Sequence, residues 1–437
     1  MNNLLESYLN RLSIASLNPM QEAMLDAFER YDQLTLIAPT GSGKTLGFLL
    51  PLLKRLRRGE AGIQAMVICP SRELALQIEQ VFRSMSTGFK VNCFYGGHPI
   101  WVEKDSLSEP PALLIGTPGR IADHIRQGTF DPGTVRVLVL DEFDKTLELG
   151  FEDDTRSILA SLNGLQKRVL ISATKMLKLP DFVDFVSAYE LHYEKEESEV
   201  RLKIRLVRAE GHDKLETLFR LLCVVGDAPT LVFCNHRMAV DRISQLLGDK
   251  GIAHDVYHGG LKQDEREQAL AKFRNGTYRI LLATDLAGRG LDIPAIEHVV
   301  HYQPAETLET FIHRNGRTAR IRAEGSAYIL LSEDEKLPEY LSVEPESFHF
   351  PDELRLPSPP EWSTLRFDAG KKDKISKGDI VGFLTRAGRL SGDDIGVIEV
   401  YDFVAYVAVK ASKARETLSF ITGEKIKKKK VPVSISW

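Results

Sequence analysis

The residues whose types and spacing most clearly suit a chemical function form a glycine-rich loop, Ala38-Pro-Thr-Gly-Ser-Gly-Lys-Thr45. This loop lies between a predicted strand and a predicted helix. Gly41 and Gly43 allow backbone N–H groups to turn inward around phosphate oxygens, and the following helix adds its positive dipole end. The Lys44 ammonium can reach the β- and γ-phosphates, and the Thr45 hydroxyl can hold Mg²⁺. The loop therefore predicts a nucleoside-triphosphate site. Its predicted contacts are Thr40, Gly41, Ser42, Gly43, Lys44 and Thr45.

A second group of reactive side chains follows the apolar run Arg136–Leu140, where the sequence reads Asp141-Glu-Phe-Asp144. A strand that ends in two acidic residues places both carboxylates at the carboxyl edge of a sheet, where open α/β folds bind ligands. Asp141 suits the Mg²⁺ shell, usually through water, and Glu142 suits the polarisation of an attacking water. Acidic residues after a strand are more often a solvated loop, but the upstream phosphate loop favours a hydrolytic pair.

The elements that position these groups are short apolar runs that alternate with helical stretches. Continuous apolar strands with helices between them indicate parallel sheets that are covered on both faces. Two series occur, so the sequence predicts an α/β fold with two doubly wound domains, separated by the charged stretch 194–199. The first series is Leu34–Ala38, Ala65–Cys69, Ala112–Gly116, Arg136–Leu140 and Arg168–Ser172. The second series is Thr230–Cys234, Tyr278–Ala283, Glu297–Tyr302 and Gly325–Leu331.

The C-terminal part of the chain has a different composition and a different pattern of predicted elements. Prolines cluster between 345 and 360, which predicts an extended linker over 346–373 with few contacts across it. Residues 374–437 predict a small α+β domain with an antiparallel sheet. The predicted strands are Asp379–Thr385, Gly396–Tyr401, Val404–Val409 and Val431–Ile435, and the predicted helix is Ser412–Ile421.

The distribution of charge, cysteine and apolar residues bears on the location and the partners of the protein. The net charge is −4, yet residues 371–437 hold 14 Lys and Arg against 8 Asp and Glu, so basic residues concentrate at the end. The cysteines have no CxxC spacing, and their apolar surroundings predict buried thiols in a reducing cytoplasm. No apolar run approaches the length of a membrane span, and the N-terminus has no signal-peptide pattern, so no membrane partner is expected.

Ordered sequence blocks resemble those of the DEAD-box helicases of superfamily two, from Gln21 to Leu331. The chain departs from the family at Phe143, where Ala is usual, and at Asn315 and Ala319. Blocks in the first half are Gln21, Ala38–Thr45, Pro70–Ala75, Gly96-Gly97, Thr117–Arg120, Asp141–Asp144 and Ser172–Thr174. Blocks in the second half are Leu231–Asn235, Ala283–Asp292 and His313–Arg320.

The resemblance implies two RecA-like domains, an ATP-binding one over 1–200 and a helicase C-terminal one over 201–345. It implies ATP and Mg²⁺ as cofactors, with the amide of Gln21 pairing with the adenine edge, Asp292 on the ribose, and Arg317 and Arg320 on the γ-phosphate. Lys44, Asp141, Glu142, Arg317 and Arg320 would be the catalytic residues. Ser172, Thr174 and His313 would couple domain closure to RNA. The implied RNA contacts are Arg72, Gly97, Thr117, Arg120, Gln263, Arg266 and Thr284.

The terminal segment resembles the RNA-binding domain of bacterial DEAD-box proteins that act on large-subunit ribosomal RNA. The implied fold is like the RNA-recognition motif, with Lys427 and Lys428 on phosphates and Tyr401, Phe403 and Tyr406 as candidates for base stacking. We therefore expect a monomeric, cytoplasmic, ATP-dependent RNA helicase that locally unwinds ribosomal RNA during large-subunit assembly. The alternatives are a general helicase in messenger-RNA decay or cold adaptation, a DNA-unwinding enzyme, and a non-hydrolysing RNA clamp, which only Phe143 favours.

Overall fold

A computed structural model of the chain describes residues 2–39, 41–173, 179–185, 187–193, 202–285, 296–316, 325–341 and 344–436. The chain divides into two compact units. The first unit is Met1–Ser198 with Gly290–Asp292, and the second unit is Glu199–Arg289 with Ile293–Trp437. Within the described ranges, no helix is both long enough and apolar enough to cross a bilayer.

The first unit is built on a parallel sheet. Its strands are β1 (Gln33–Ile37), β2 (Ala65–Ile68), β3 (Val91–Phe94), β4 (Leu113–Gly116), β5 (Val137–Leu140), β6 (Lys167–Ser172) and β7 (Tyr189–His192). Their order, over the residues described, is β3-β4-β2-β5-β6-β1-β7. Alternate side chains of β2 enter two different cores, with Ala65 and Val67 in one and Met66 and Ile68 in the other. Both faces of the sheet are therefore covered, as continuous apolar strands require.

Helices follow the strands of the first unit, so the loops after β1 to β5 gather at the carboxyl edge of the sheet. Asn18 and Gln21 form a reciprocal capping box that fixes the start of the second helix, and the Ser71 hydroxyl caps the fourth. The helices are α1 (Asn2–Arg11), α2 (Pro19–Arg30), α3 (Lys44–Arg55), α4 (Arg72–Ser84), α5 (Trp101–Lys104), α6 (Pro118–Arg126), α7 (Phe143–Glu148) and α8 (Glu152–Ser161).

The second unit repeats this architecture. Its strands are β8 (Lys203–Arg208), β9 (Thr230–Phe233), β10 (Asp255–Tyr257), β11 (Ile280–Ala283), β12 (His298–His301), β13 (Ser326–Leu331) and β14 (Glu346–Ser347). Its helices are α9 (Leu215–Val225), α10 (Arg237–Asp249), α11 (Gln263–Arg274) and α12 (Leu308–Asn315). The described strands are parallel in the order β10-β11-β9-β12-β13-β8-β14. The prediction of two doubly wound sheets is confirmed.

A small domain, called the terminal module, completes the second unit. It consists of β15 (Trp362–Phe367), α13 (Lys377–Arg386), β16 (Ile395–Val400), β17 (Ala405–Lys410), α14 (Ala411–Ile421), β18 (Lys425–Ile426), β19 (Lys429–Lys430) and β20 (Val433–Ser436). The antiparallel order β16-β17-β15-β20 confirms the predicted α+β module. The predicted strand Asp379–Thr385 is wrong, because these residues belong to α13. Ser376 and Asp379 cap that helix, and its apolar residues are buried at helical spacing.

The terminal module packs directly on the end of α11. The buried Thr364 hydroxyl lies 2.8 Å from both Asn275 Nδ2 and Thr277 Oγ1. Arg274 Nη1 lies 3.2 Å from Glu399 Oε2. Strand β15, which carries Thr364, falls inside the stretch predicted as linker. The prediction that few contacts cross this boundary is therefore wrong: three buried polar side chains and an ion pair join the module to its neighbour.

Candidate functional site

The glycine-rich loop leaves β1 and enters α3 in a left-handed conformation that glycine favours. Gly41 has φ 83° and Gly43 has φ 84°. A Cβ at residue 43 would lie 2.5 Å from Gln21 Nε2, so the loop also needs the missing side chain for packing. The buried Lys44 donates from Nζ to the Ala38 carbonyl oxygen at 2.7 Å, across the mouth of the loop. The loop is thus a cradle lined by backbone and one ammonium group.

Gln21 lies against this loop and is buried. Its Oε1 accepts from the Asn18 N–H at 3.0 Å, and its Nε2 donates to the Gly43 carbonyl at 3.1 Å. Asn18 Nδ2 donates to the Ser42 carbonyl at 2.9 Å, so α2 is tied to the loop twice. An amide has two N–H groups and two acceptor lone pairs, so Gln21 keeps one of each for another partner. Its adenine contact stays a prediction.

Two carboxylates follow β5 beside the loop. Asp141 is buried, and its Oδ1 accepts from the Glu142 backbone N–H at 3.0 Å. Glu142 has φ 46° and ψ 50°, a left-handed conformation that is strained for a non-glycine residue and that tends to cluster at functional sites. Burial, followed by repulsion from Glu142, raises the pKa of Asp141 to about 7, although the Lys44 charge opposes both. A nearby cation would therefore stabilise the ionised form of Asp141.

Phe143, the departure from the family pattern, lies entirely within the core. It begins α7 and packs in the same apolar cluster as Leu140 and Ile158. Asp144 remains in place behind it, with its Oδ1 accepting from the Lys145 N–H at 3.1 Å. The larger side chain is therefore accommodated on the core side and displaces no carboxylate. The non-hydrolysing clamp loses the observation that favoured it.

Predicted RNA contacts of the first unit meet at the loops that follow β2, β3 and β4. Arg120 of α6 donates from Nε to the Tyr95 carbonyl at 2.9 Å and from Nη2 to the His98 carbonyl. The Arg72 guanidinium lies 4.2 Å from the centre of the Tyr95 ring. Gly97 has φ 102°, and Thr117 stands at the N-cap of α6. Arg72, Gly97, Thr117 and Arg120 thus share one edge of the sheet.

A buried carboxylate that sequence reasoning missed holds this edge together. Glu103 accepts from His124 Nε2 at 2.8 Å, from His98 Nε2 at 3.0 Å and from the Tyr95 N–H at 3.1 Å, and it lies 3.3 Å from Arg120 Nε. Burial raises the pKa of Glu103, but the two histidine hydrogen bonds, Arg120 and the Tyr95 N–H outweigh it, so the pKa lies below its ordinary value. No spacing rule marks Glu103, because folding brings these partners together.

The second unit contributes fewer described candidates. Gln263 begins α11 and Arg266 follows on the same helix, both half-buried. The Thr284 N–H donates to the Tyr257 carbonyl at 3.2 Å, just beyond β11. His313 is buried on α12. In the first unit, Ser172 is buried at the end of β6, and its carbonyl accepts from the Ala38 N–H at 3.2 Å.

Arg314, next to His313, is a further residue that sequence reasoning did not single out. Its guanidinium is fully buried and donates to Asp285 at 2.6 and 3.0 Å, to Asn235 Oδ1 at 2.8 Å and to the Gln303 carbonyl at 2.8 Å. These partners follow β11, β9 and β12, so one side chain joins three loops at the carboxyl edge. The signal existed, because Arg314, Asp285 and Asn235 all lie within the family blocks. The predicted residues Thr40, Thr174, Asp292, Arg317 and Arg320 lie outside the described residues.

The side chains of the terminal module that were predicted to contact RNA differ in exposure and in the partners they already have within the protein. Lys427 and Lys428 form the turn between β18 and β19 with φ 48° and 68°. Lys427 Nζ lies 2.7 Å from Asp379 Oδ2, whereas exposed Lys428 makes no ion pair with any residue in the described ranges. Tyr406 is buried and cannot stack a base, and the Tyr401 hydroxyl donates to Glu399 at 2.6 Å. Phe403 is 57% exposed, so it remains available.

The fold has two doubly wound parallel sheets and an appended module, and the first sheet carries a phosphate cradle with paired carboxylates. Together these features define a nucleotide-hydrolysing enzyme of the helicase class. Residues 18–180 match the DEAD/DEAH box helicase family, 213–322 the helicase conserved C-terminal domain and 364–435 the DbpA RNA binding domain. The chain belongs to the DEAD-box family of ATP-dependent RNA helicases. It is an RNA-stimulated ATP hydrolase with a C-terminal RNA-binding domain.

Individual relatives support the same assignment over nearly the whole chain. The chain is 33% identical to the ATP-dependent RNA helicase DbpA of Escherichia coli strain K12, over 96% of this chain and 94% of the relative. It is 29% identical to DbpA of Bacillus subtilis strain 168, over 95% and 93%. In fold alone, it resembles S. cerevisiae Dbp5 bound to RNA and ADP BeF3, with TM-score 0.66, 24% identity and 76% of this chain and 87% of that chain covered.

Proposed function

We propose that this helicase locally unwinds ribosomal RNA during assembly of the large ribosomal subunit. The observation that carries the proposal is the terminal module, because residues 364–435 match the DbpA RNA binding domain. The segment also resembles the RNA-binding domain of bacterial helicases that act on large-subunit ribosomal RNA. The free thiols of Cys69, Cys93, Cys223 and Cys234 support a reducing, cytoplasmic location. We propose a monomer in which the terminal module recognises the RNA target. The two parallel-sheet domains would hydrolyse ATP and unwind the RNA.

The nucleotide site would hold ATP together with Mg²⁺. Lys44 would contact the β- and γ-phosphates, while the Thr45 hydroxyl and the Asp141 carboxylate would hold the ion, and such hard oxygen donors suit Mg²⁺. Buried Asp141, whose pKa is raised, fits this role because a cation would offset its desolvation. Ser42 Oγ fits a phosphate oxygen, since it is buried and bonds to no polar atom of the described residues. Bound Mg²⁺ would supply charge neutralisation of the phosphates.

Coupling between nucleotide and RNA would depend on both units. Glu142 would orient the attacking water, and Arg317 and Arg320 would stabilise the charge on the transferring phosphoryl group. Gln21 would recognise adenine and Asp292 the ribose, while Ser172, Thr174 and His313 would link closure to RNA. ATP binding would then close a clamp on one strand, and phosphate release would open it. The phosphate-gripping residues are Arg72, Gly97, Thr117, Arg120, Gln263, Arg266 and Thr284, with Lys427 and Lys428 in the module.

The chemistry is tested by Lys44→Ala and Glu142→Gln in the full chain. Both variants should lose RNA-stimulated ATP hydrolysis, but only Lys44→Ala should lose ATP affinity, because Glu142→Gln leaves the phosphate cradle intact. Gln21→Ala should reduce the ratio of ATP affinity to GTP affinity. Hydrolysis by Glu142→Gln at the wild-type rate would show that another group orients the water.

The target is tested by comparing half-maximal concentrations of large-subunit ribosomal RNA and random RNA in the ATPase assay. The full chain should prefer ribosomal RNA, and Lys428→Gln combined with Phe403→Ala should lose much of that preference. Arg386→Gln is a matched control for loss of one charge within the module. Arg386 is the last residue of α13, whereas Asp379, which contacts Lys427, lies in the first turn of that helix. Equal preference in wild type and the double variant would contradict targeting by these two side chains. No preference in either would favour a general RNA helicase.

A further inference from the structure

We propose that Trp101 is a nucleobase contact that extends the RNA grip of the first unit onto an unpaired base. The inference rests on the RNA-binding role proposed above for the loops after β3 and β4. Trp101 begins the short helix α5, directly after the loop that contains Gly97. Nothing in the nucleotide chemistry or in the phosphate grip uses this side chain.

The exposure of Trp101 is the first observation. The residue is 64% exposed, although tryptophan is usually among the most buried residues of a soluble protein. The chain offers a contrast in Trp362, which is half-buried and carries the Lys410 ammonium 4.3 Å from its ring centre. Exposure of a large aromatic surface to water is unfavourable, so a partner that covers the indole would be stabilising.

The rigidity of the surrounding loop is the second observation. Glu103 lies on α5 with Trp101, and it accepts hydrogen bonds from the Tyr95 N–H, His98 and His124. The His98 carbonyl, three residues before Trp101, accepts from the Arg120 guanidinium. The indole is therefore carried by a turn fixed to the proposed phosphate-gripping residues on both sides. A fixed backbone position reduces the conformational entropy that is lost when a ligand stacks on the ring it carries.

The chemistry of the neighbourhood selects RNA as the occupant. The guanidinium groups of Arg72 and Arg120 lie at the same edge, and both contact Tyr95, Arg72 through the ring and Arg120 through the carbonyl. Basic side chains that follow a phosphate backbone, together with an exposed aromatic ring for the bases, are the usual combination in single-strand binding. Every base has a π-face, so the contact would add affinity without sequence preference.

Three substitutions in the full chain test the proposal: Trp101→Ala, Trp101→Phe and Trp101→Leu. Trp101→Ala should raise the RNA concentration for half-maximal ATPase by about 5- to 150-fold, the range of one lost stacking contact. Trp101→Phe should recover most of this loss, whereas Trp101→Leu should not, since it restores apolar bulk without a ring. The maximal rate at saturating RNA should not change. Tyr189→Ala is the control, because Tyr189 is an exposed ring on β7, at the opposite edge of the same sheet.

The salt dependence separates stacking from charge. Trp101→Ala should weaken RNA binding while leaving the slope of log affinity against log salt unchanged, because no phosphate contact is lost. Arg120→Gln should reduce that slope. Wild-type RNA affinity in Trp101→Ala would overturn the proposal and favour a protein partner for the indole. Full recovery by Trp101→Leu would also overturn it, because apolar bulk without a ring would then be enough to bind RNA. Equal half-maximal concentrations of ribosomal and random RNA in the wild type would instead refute the proposed target and leave the Trp101 contact standing, because that contact has no sequence preference.

Discussion

Glu103 in the first unit and Arg314 in the second perform the same structural task with opposite charges. Each is a buried ionised group at the carboxyl edge of its parallel sheet. Glu103 accepts hydrogen bonds from donors on the loop after β3 and on α6, whereas Arg314 donates to acceptors that follow β9, β11 and β12. A buried charge is costly unless it is paired, so loops that supply its partners are held in place. Either sign of charge can therefore order a set of functional loops.

The two centres differ in their response to solvent. An arginine side chain keeps its charge in a folded protein. Glu103 can lose its charge in acid, although its burial is outweighed by its hydrogen bonds and Arg120, which hold its pKa below the ordinary value. In the first unit the buried charge of Glu103, which we call the first anchor, can itself titrate. In the second unit the buried charge of Arg314, which we call the second anchor, is fixed, and the pH-sensitive group is the neighbouring buried His301. Substitutions at these positions test the comparison.

The largest effect is expected for Arg314→Met, which leaves the Asp285 carboxylate without its buried partner. The free energy of unfolding of the second unit should fall by about 5 kcal/mol, the upper range for breaking a buried pair. Urea unfolding measures the loss. Arg242→Met is the control, since its ion pair with Asp213 is exposed and should contribute about 1 kcal/mol or less. Equal losses in both variants would show that Arg314 is not an anchor.

Glu103→Ala should have the next largest effect, a loss of about 3 kcal/mol in the first unit. It should also raise the RNA concentration for half-maximal ATPase, because Arg120 and the loop after β3 lose their common acceptor. ATP affinity should not change. Glu103→Gln should recover part of both losses, since an amide oxygen still accepts. An RNA affinity that is unchanged in Glu103→Ala would separate this cluster from RNA binding.

His301 should make the second unit sensitive to acid. Burial, then the Arg314 charge, lower the pKa of His301 from 6.5 to about 3, against the opposing hydrogen bond with Asn315. Below pH 6.5 the unfolded chain takes up a proton that the folded chain excludes, so stability falls with pH until about 3. From pH 7 to pH 5 the wild type should lose about 2 kcal/mol more than His301→Gln. Parallel pH profiles of the two proteins would contradict a neutral, buried His301.

The smallest effect is expected for Asn315→Ala. Asn315 Oδ1 lies 3.1 Å from His301 Nε2, and this contact contributes about 1 kcal/mol if it resembles an average hydrogen bond. The substitution also removes the Asn315 amide nitrogen, which is buried without a partner among the residues described. Loss of the hydrogen bond destabilises the fold, whereas removal of the unpartnered amide nitrogen stabilises it. The unfolding midpoint should therefore move little. A loss near that of Arg314→Met would make Asn315 a main part of the second anchor.

The parts of the candidate site that the sequence could predict are those formed by contiguous motifs. The phosphate loop and the Asp141-Glu142 pair were predictable because each is a local run whose chemistry is independent of distant residues. Glu103 was not, since its partners lie on α6 and on the loop after β3. The strand predicted over Asp379–Thr385 failed because Ile380, Val381, Phe383 and Leu384 form a short apolar run. The Ser376–Asp379 capping box, which signals a helix start, was the better guide.

The other gap in the predicted fold consisted of the edge strands and the interior strand β8, whose apolar residues are interrupted by charged ones. Strands β3, β7, β10 and β14 stand at the edges of the two parallel sheets. Edge strands are short and partly solvated, so they lack the continuous apolar run that marked the central strands. Strand β15 was hidden by the prolines that precede it, although its alternating residues Leu365 and Phe367 are buried in the module core.

Helix α11 carries proposed RNA contacts at one end and the terminal module at the other. Gln263 and Arg266 lie in its first turns, and Arg274 at its end pairs with Glu399 of the module. A helix of 12 residues spans about 18 Å. If both proposed contacts form, the length of α11 would set the distance between the RNA strand bound at Gln263 and Arg266 and the RNA element bound by the module. A target would be selected by its geometry as well as by its sequence.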